Sequence, residues 1–143
     1  MTTLIQQRSG NDCVLASIAM ARGAAAWADV WTDSDLERVI ASKGVSGYEP
    51  WLEQAGFKPH QFKEIQIWNA TDQSIVRQLL WHRRALLSVH SLNIDQGHHM
   101  VFWDGFEVFD PSPLRSYAWL HSMTITRIVL LDESYLPTPE PRT

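Results

Sequence analysis

Four side chains in this sequence have the types needed for acyl transfer: a thiol, an imidazole, a carboxylate and a carboxamide. Cys13 is the only cysteine. It follows Ser9-Gly10-Asn11-Asp12, a run of turn and cap formers, and precedes a small, apolar run from Val14 to Ala21. That order reads as a turn leading into a buried helix, with Asn11 or Asp12 accepting from a free N–H of the first turn. Cys13 then falls within that turn. Unsatisfied N–H groups and the positive end of the helix dipole favour a thiolate there. Gln7 precedes Cys13 by six residues. Its carboxamide can donate toward the space that the Cys13 N–H faces, and two converging donors make an oxyanion site. A lone cysteine in an apolar helix also suits a plain core position, so the case rests on partners further along.

The partners come from the strongest hairpin signal in the chain. Asp104-Gly105 separates one strand candidate, His98 to Trp103, from a second, Phe106 to Asp110. A two-residue turn predicts Trp103 opposite Phe106, Phe102 opposite Glu107, Val101 opposite Val108 and Met100 opposite Phe109. His99 then faces Asp110 on one side of the sheet, with Cβ atoms roughly 5 Å apart. His98 points the other way, across from Pro111. An aspartate beside a histidine favours the imidazolium and fixes the ring. The roles follow: Cys13 as nucleophile, His99 as general base and acid, Asp110 orienting His99, and Gln7 steadying the oxyanion. The plain alternatives are an exposed His–Asp pair and an ordinary turn at Asp110-Pro111. No His-x-x-x-His or Cys-x-x-Cys pair accompanies His98 and His99, so no metal site is expected, and no organic cofactor is needed. His60, His82, His90 and His121 show no recognisable spacing.

The elements that must carry these groups can be read in outline. Residues 3–8 suit a short strand or an extended arm. A helix from about Asp12 to Ala21 should end at Gly23. Residues 24–31 are ambiguous. Ser34 and Glu37 form a capping-box pair that predicts a second helix with Leu36, Val39 and Ile40 on one face, ending near Gly44. Residues 49–56 read as a short helix with Pro50 in its first turn and Gly56 past its end. A short strand is expected within 57–67. Asp72 opens a helix with Ile75, Val76, Leu79 and Leu80 as its apolar face. Then the period changes. Residues 84–90 form a strand, the hairpin follows, 117–122 hold one helical turn, and 123–131 form a last strand rich in β-branched residues. Helices first and an antiparallel sheet second argue an α+β fold.

The chain has 143 residues, enough for one domain with its own core. The expected division is a single domain over 1–131 and a Pro-containing tail over 132–143. With 12 basic and 16 acidic residues and no basic run, a nucleic-acid groove is not expected. A free thiol suits a reducing compartment. No secretory signal is evident and no apolar run reaches membrane-spanning length, so no membrane partner is expected and the expected location is cytoplasmic. Asn69-Ala70-Thr71 matches a glycosylation pattern that has no use there.

With Gln7, Asp12-Cys13, His99 and Asp110-Pro111 in hand, the chain resembles the peptidase C39 family. These are papain-like cysteine peptidases best known as the leader-processing domains of bacteriocin exporters. Ala16 and Met20 fit the helix after the cysteine. His99 followed by an apolar strand, a Gly-containing turn and a strand ending in Asp110-Pro111 fits the second half. The resemblance spans about residues 5–131; over 24–80 it is one of helical character only. Val14 stands where the family commonly has Gly, and an exporter role is not expected. The resemblance implies a papain-like fold, with a helical half bearing Cys13 packed on a sheet bearing His99 and Asp110, and a cleft between. It also implies a stand-alone hydrolase of peptide or isopeptide bonds, with small residues such as Gly-Gly before the cleaved bond. The alternatives are an inactive module that binds a peptide in the same cleft, and an acyltransferase or amidase using the same thioester.

Overall fold

The computed structural model describes residues 2–42, 47–67, 72–94 and 97–131. Its architecture is mixed α+β. Five antiparallel strands run in the order β1-β5-β2-β3-β4: β1 Lys63–Gln66, β2 Ala85–His90, β3 His98–Trp103, β4 Val108–Phe109 and β5 Ile125–Leu130. Among the described residues four α-helices accompany them: α1 Cys13–Ala21, α2 Asp33–Ala41, α3 Glu49–Gln54 and α4 Gln73–Leu80. Residues 2–7 form no strand, and residue 8 lies in a bend.

Side-chain alternation divides the apolar residues of the sheet between two cores. Leu86, Met100, Phe102 and Val129 pack with α1, Trp27, Trp31 and Leu52. Their neighbours Ala85, Leu87, Val101, Trp103, Ile128 and Leu130 pack with Val76 and Leu80 of α4. A strand buried on both faces has no room for a polar alternation, which explains the unbroken run Ala85-Leu86-Leu87.

Helix ends are set locally. At the end of α1 the Gly23 N–H donates to Met20 O at 3.0 Å and the Ala24 N–H to Ala19 O at 3.1 Å. Gly23 takes φ +77°. That is the paired-bond ending in which glycine avoids the steric cost of a left-handed conformation, and it matches the expected stop. The second helix begins earlier than its apparent capping box. Thr32 Oγ1 accepts from Asp35 N at 3.2 Å and Asp35 Oδ2 accepts from Thr32 N at 2.8 Å. Thr32 and Asp35 therefore take the places expected for Ser34 and Glu37. Ile40 is 46 % exposed, while Val39 and Asp35 are buried. Ile75 is likewise exposed at 62 %, while Val76 and Leu80 carry the inner face of α4.

The hairpin departs from its expected register. Phe102 pairs with Phe109 and Trp103 with Val108, so the loop holds residues 104–107 in place of two. The cause is Asp104, whose Oδ1 accepts from the N–H groups of Phe106 at 2.8 Å and Glu107 at 2.7 Å. Gly105 sits at φ +104° with its carbonyl accepting from His82 N. A Cβ at Gly105 would meet the His82 backbone at 3.3 Å. The register moves by two residues, and a two-residue shift keeps every side chain on its face. His99 and Asp110 thus become diagonal neighbours in place of direct ones.

The expected turn within 117–122 forms at Leu120–Ser122. The tail over 132–143, the glycosylation match at Asn69-Ala70-Thr71 and the expected helix end at Gly44 lie outside the described residues. Among the described residues no helix is long and apolar enough to cross a membrane.

Candidate active site

Cys13 is the first residue of α1. The neighbouring Asp12 is completely buried, and a buried carboxylate is tolerable only when its oxygens are bonded. Its Oδ1 accepts from Ser9 N at 2.7 Å and Ser9 Oγ at 3.0 Å. Its Oδ2 accepts from Arg8 N at 3.1 Å and from the Trp27 indole N–H at 3.1 Å. The carboxylate thus turns back to order residues 8–12, and no side chain caps the first turn of α1. This overturns the expected cap by Asn11 or Asp12. It also leaves the orphan N–H groups at Cys13 uncovered, which keeps the positive helix end open toward the sulfur.

One turn further along, the Ser17 hydroxyl donates to Met100 O at 3.1 Å in a buried bond. Met100 follows His99 in β3, so this bond fixes the helix of the thiol against the strand of the imidazole. His99 Nε2 lies 2.6 Å from Asp110 Oδ1, with the two side chains 11 % and 2 % exposed. The ring N–H donates and the carboxylate accepts. Asp110 is held in turn by two backbone donors: Ser112 N to Oδ1 at 2.9 Å and Tyr117 N to Oδ2 at 2.7 Å. With Nε2 engaged, Nδ1 is the ring nitrogen left for Cys13, whose side chain lies near enough to favour the charged ring.

Burial opposes the charge on His99. The Asp110 hydrogen bond, then the neighbouring Cys13 side chain and the charges of both partners, outweigh it and raise its pKa to about 9. The ring is therefore an imidazolium at neutral pH, the partner that a nucleophilic sulfur requires.

Gln7 is joined to the same region by its backbone: Gln7 N donates to Pro111 O at 2.8 Å. Its carboxamide nitrogen donates to Ser9 O at 2.7 Å, and its Oε1 is buried with no partner among the described residues. Thus Cys13, His99 and Asp110 converge, while the Gln7 carboxamide is engaged with the loop before α1.

A cleft of about 680 Å³ opens over Cys13, Val14 and His99. Its floor includes Met100, Ser88, Arg127 and Gln66. Tyr48 also lines it, and its hydroxyl donates to Glu64; burial first, and then that carboxylate, push the phenol pKa up. A second groove of about 640 Å³ lies by Trp81, Trp103 and Trp119, away from the thiol. Among the described residues no trio of His, Cys, Asp or Glu is placed to hold a metal ion.

Sequence reasoning did not single out Ser17, Arg127 or the backward-facing role of Asp12. The spacing Ser9-x-x-Asp12 is a local signal that fits Asp12. Nothing local marks Ser17 or Arg127, whose positions depend on strands far away in the chain. No protein-family model matches the chain, and no curated protein matches it in sequence.

Proposed function

We propose that this chain is a papain-like thiol hydrolase of the C39 type that cleaves a peptide or isopeptide bond. The observation that carries this reading is the buried His99–Asp110 pair at 2.6 Å, with Cys13 and His99 lining one cleft. A helical layer bearing Cys13, packed against an antiparallel sheet bearing His99 and Asp110, supports the same reading.

The reaction begins with the Cys13 sulfur as thiolate and His99 as imidazolium. The sulfur attacks the carbonyl carbon, and the negative charge moves to the oxygen. Uncovered N–H groups at the start of α1 stabilise that oxyanion. Gln7 adds a donor if its carboxamide leaves Ser9 O. The C–N bond breaks, His99 gives its proton to the departing amine, and a thioester remains. Neutral His99 then takes a proton from water, whose oxygen attacks the thioester. Collapse releases the carboxylic acid and restores the thiolate–imidazolium pair. Asp110 keeps the ring oriented throughout. By the resemblance, small residues such as Gly-Gly precede the cleaved bond.

One observation favours a second reading, a non-catalytic peptide-binding module: the Gln7 carboxamide donates to Ser9 O. Alkylation by iodoacetamide at pH 6.5 separates the two. The hydrolase reading expects Cys13 to react at least about tenfold faster in the native chain than in His99→Ala, because the imidazolium stabilises the reacting anion. Equal rates would sink it. Mass spectrometry of the acyl group trapped on Cys13, with water or an added amine as acceptor, separates hydrolysis from acyl transfer.

A further inference from the structure

The cleft floor carries a charge that the reaction does not use. On one face of the sheet, β-pairing sets Met100 beside Ser88, Ser88 beside Arg127, and Arg127 beside Gln66. All four line the cleft. They form one row running across the strands away from the catalytic pair. Adjacent strands lie about 4.8 Å apart, so the Arg127 backbone is two spacings, about 10 Å, from that of Met100, the residue after His99. An extended peptide covers that distance in about three residues, at roughly 3.3 Å each.

The arginine is only partly satisfied. Its Nε faces Glu64 Oε2 at 3.8 Å, with the side chains 40 % and 30 % exposed. Glu64 is otherwise committed, with Oε1 accepting from Tyr48 and Oε2 from the Gln66 carboxamide at 3.0 Å. The two terminal nitrogens of Arg127 make no hydrogen bond among the described residues. A guanidinium with its outer edge open is shaped for a two-point bond to a carboxylate. None of the described residues lining the cleft is Asp or Glu, although the chain as a whole carries a net charge of -4.

The geometry points to a carboxylate-binding subsite at Arg127, which selects substrates bearing an acidic side chain or a free C-terminal carboxylate about three residues from the cleaved bond. This inference rests on the hydrolase reading for the position of that bond. Glu64 lies beside the Nε, where its charge competes with a substrate carboxylate, and leaves the outer edge of the arginine for substrate.

The test uses fluorescein-labelled octapeptides of Gly, Ala and Ser with one Glu walked through each position. Gln-containing controls match each peptide, and a further pair ends in a free carboxylate or an amide. Binding is read by fluorescence anisotropy on Cys13→Ser, and turnover on the unaltered chain. The expected result is about tenfold tighter binding when Glu, or the free carboxylate, sits three residues from the preferred cleavage point. Arg127→Gln should abolish that preference, Arg127→Lys should retain part of it, and Glu64→Gln should strengthen it. Circular dichroism checks each variant; should Arg127→Gln fail to fold, the opposite response of Glu64→Gln carries the test. Turnover without any acidic preference, or a preference that survives Arg127→Gln, overturns the subsite and leaves the hydrolase standing. Acid-dependent binding without turnover keeps the subsite and overturns the hydrolase. Absence of all peptide binding overturns both.

Discussion

Asp110 holds three donors on two oxygens: the His99 ring, Ser112 N and Tyr117 N. A carboxylate fixed by two backbone groups cannot swing away, so its bond to His99 orients the ring at no further ordering cost. The protonated ring stabilises the folded chain, because folding raises the His99 pKa from 6.5 to about 9. That contribution is complete below pH 6.5 and is lost as pH rises through about 9, since only in that interval does the folded state bind more protons than the unfolded one. Urea unfolding across this range should lose on the order of 3 kcal/mol in the native chain and stay nearly level in His99→Gln. A level profile in the native chain would show that the ring is neutral. At this scale the sequence was informative. Cys13 was the only thiol, and the two-residue turn picked His99 over His98 with the wrong register but the right face. Gln7 was less legible, because the bond from its carboxamide to Ser9 O depends on how Asp12 folds the intervening loop.

Helix α1 shows what an element adds to its residues. Its start is ordered from behind by Asp12, its end by the Gly23 turn, and its middle by Ser17 on the Met100 carbonyl. Only the last of these binds it to the strand of His99. Ser17→Ala should therefore cost about 1 kcal/mol of stability and also slow alkylation of Cys13 severalfold. Thr32→Ala removes the cap of α2 and should cost a similar amount, about 1 kcal/mol, with alkylation unchanged. Urea midpoints and alkylation rates measured together check the contrast; equal slowing in both would mean that the Ser17 bond has no special part in alignment. The end of α1 was legible because a glycine stop is local. The start of α2 was not, because Ser34-x-x-Glu37 and Thr32-x-x-Asp35 are both valid capping patterns. The choice between them falls to a tertiary contact, since Asp35 also accepts from Gln54 at 2.9 Å, besides the local bond from Arg38 at 2.8 Å.

At the scale of the molecule, the sheet is a partition between two apolar layers, and Leu86 and Leu87 face opposite ways from adjacent positions. Both are fully buried. Leu86→Ala and Leu87→Ala should each cost about 2–5 kcal/mol and move one shared unfolding transition without changing its slope. A biphasic curve in either variant would mean that the layers unfold separately. The α+β class was legible from the order of periodicities along the chain. The strand order was not, because no local signal says that β5 enters between β1 and β2.

That insertion has a consequence for synthesis. Among the described residues strand β1 pairs only with β5, and Arg127 of the cleft floor belongs to β5. Thiol, imidazole and carboxylate all leave the ribosome before this strand does. A nascent chain can hold Cys13, His99 and Asp110 and still lack the strand that carries Thr126 and Arg127 into the cleft.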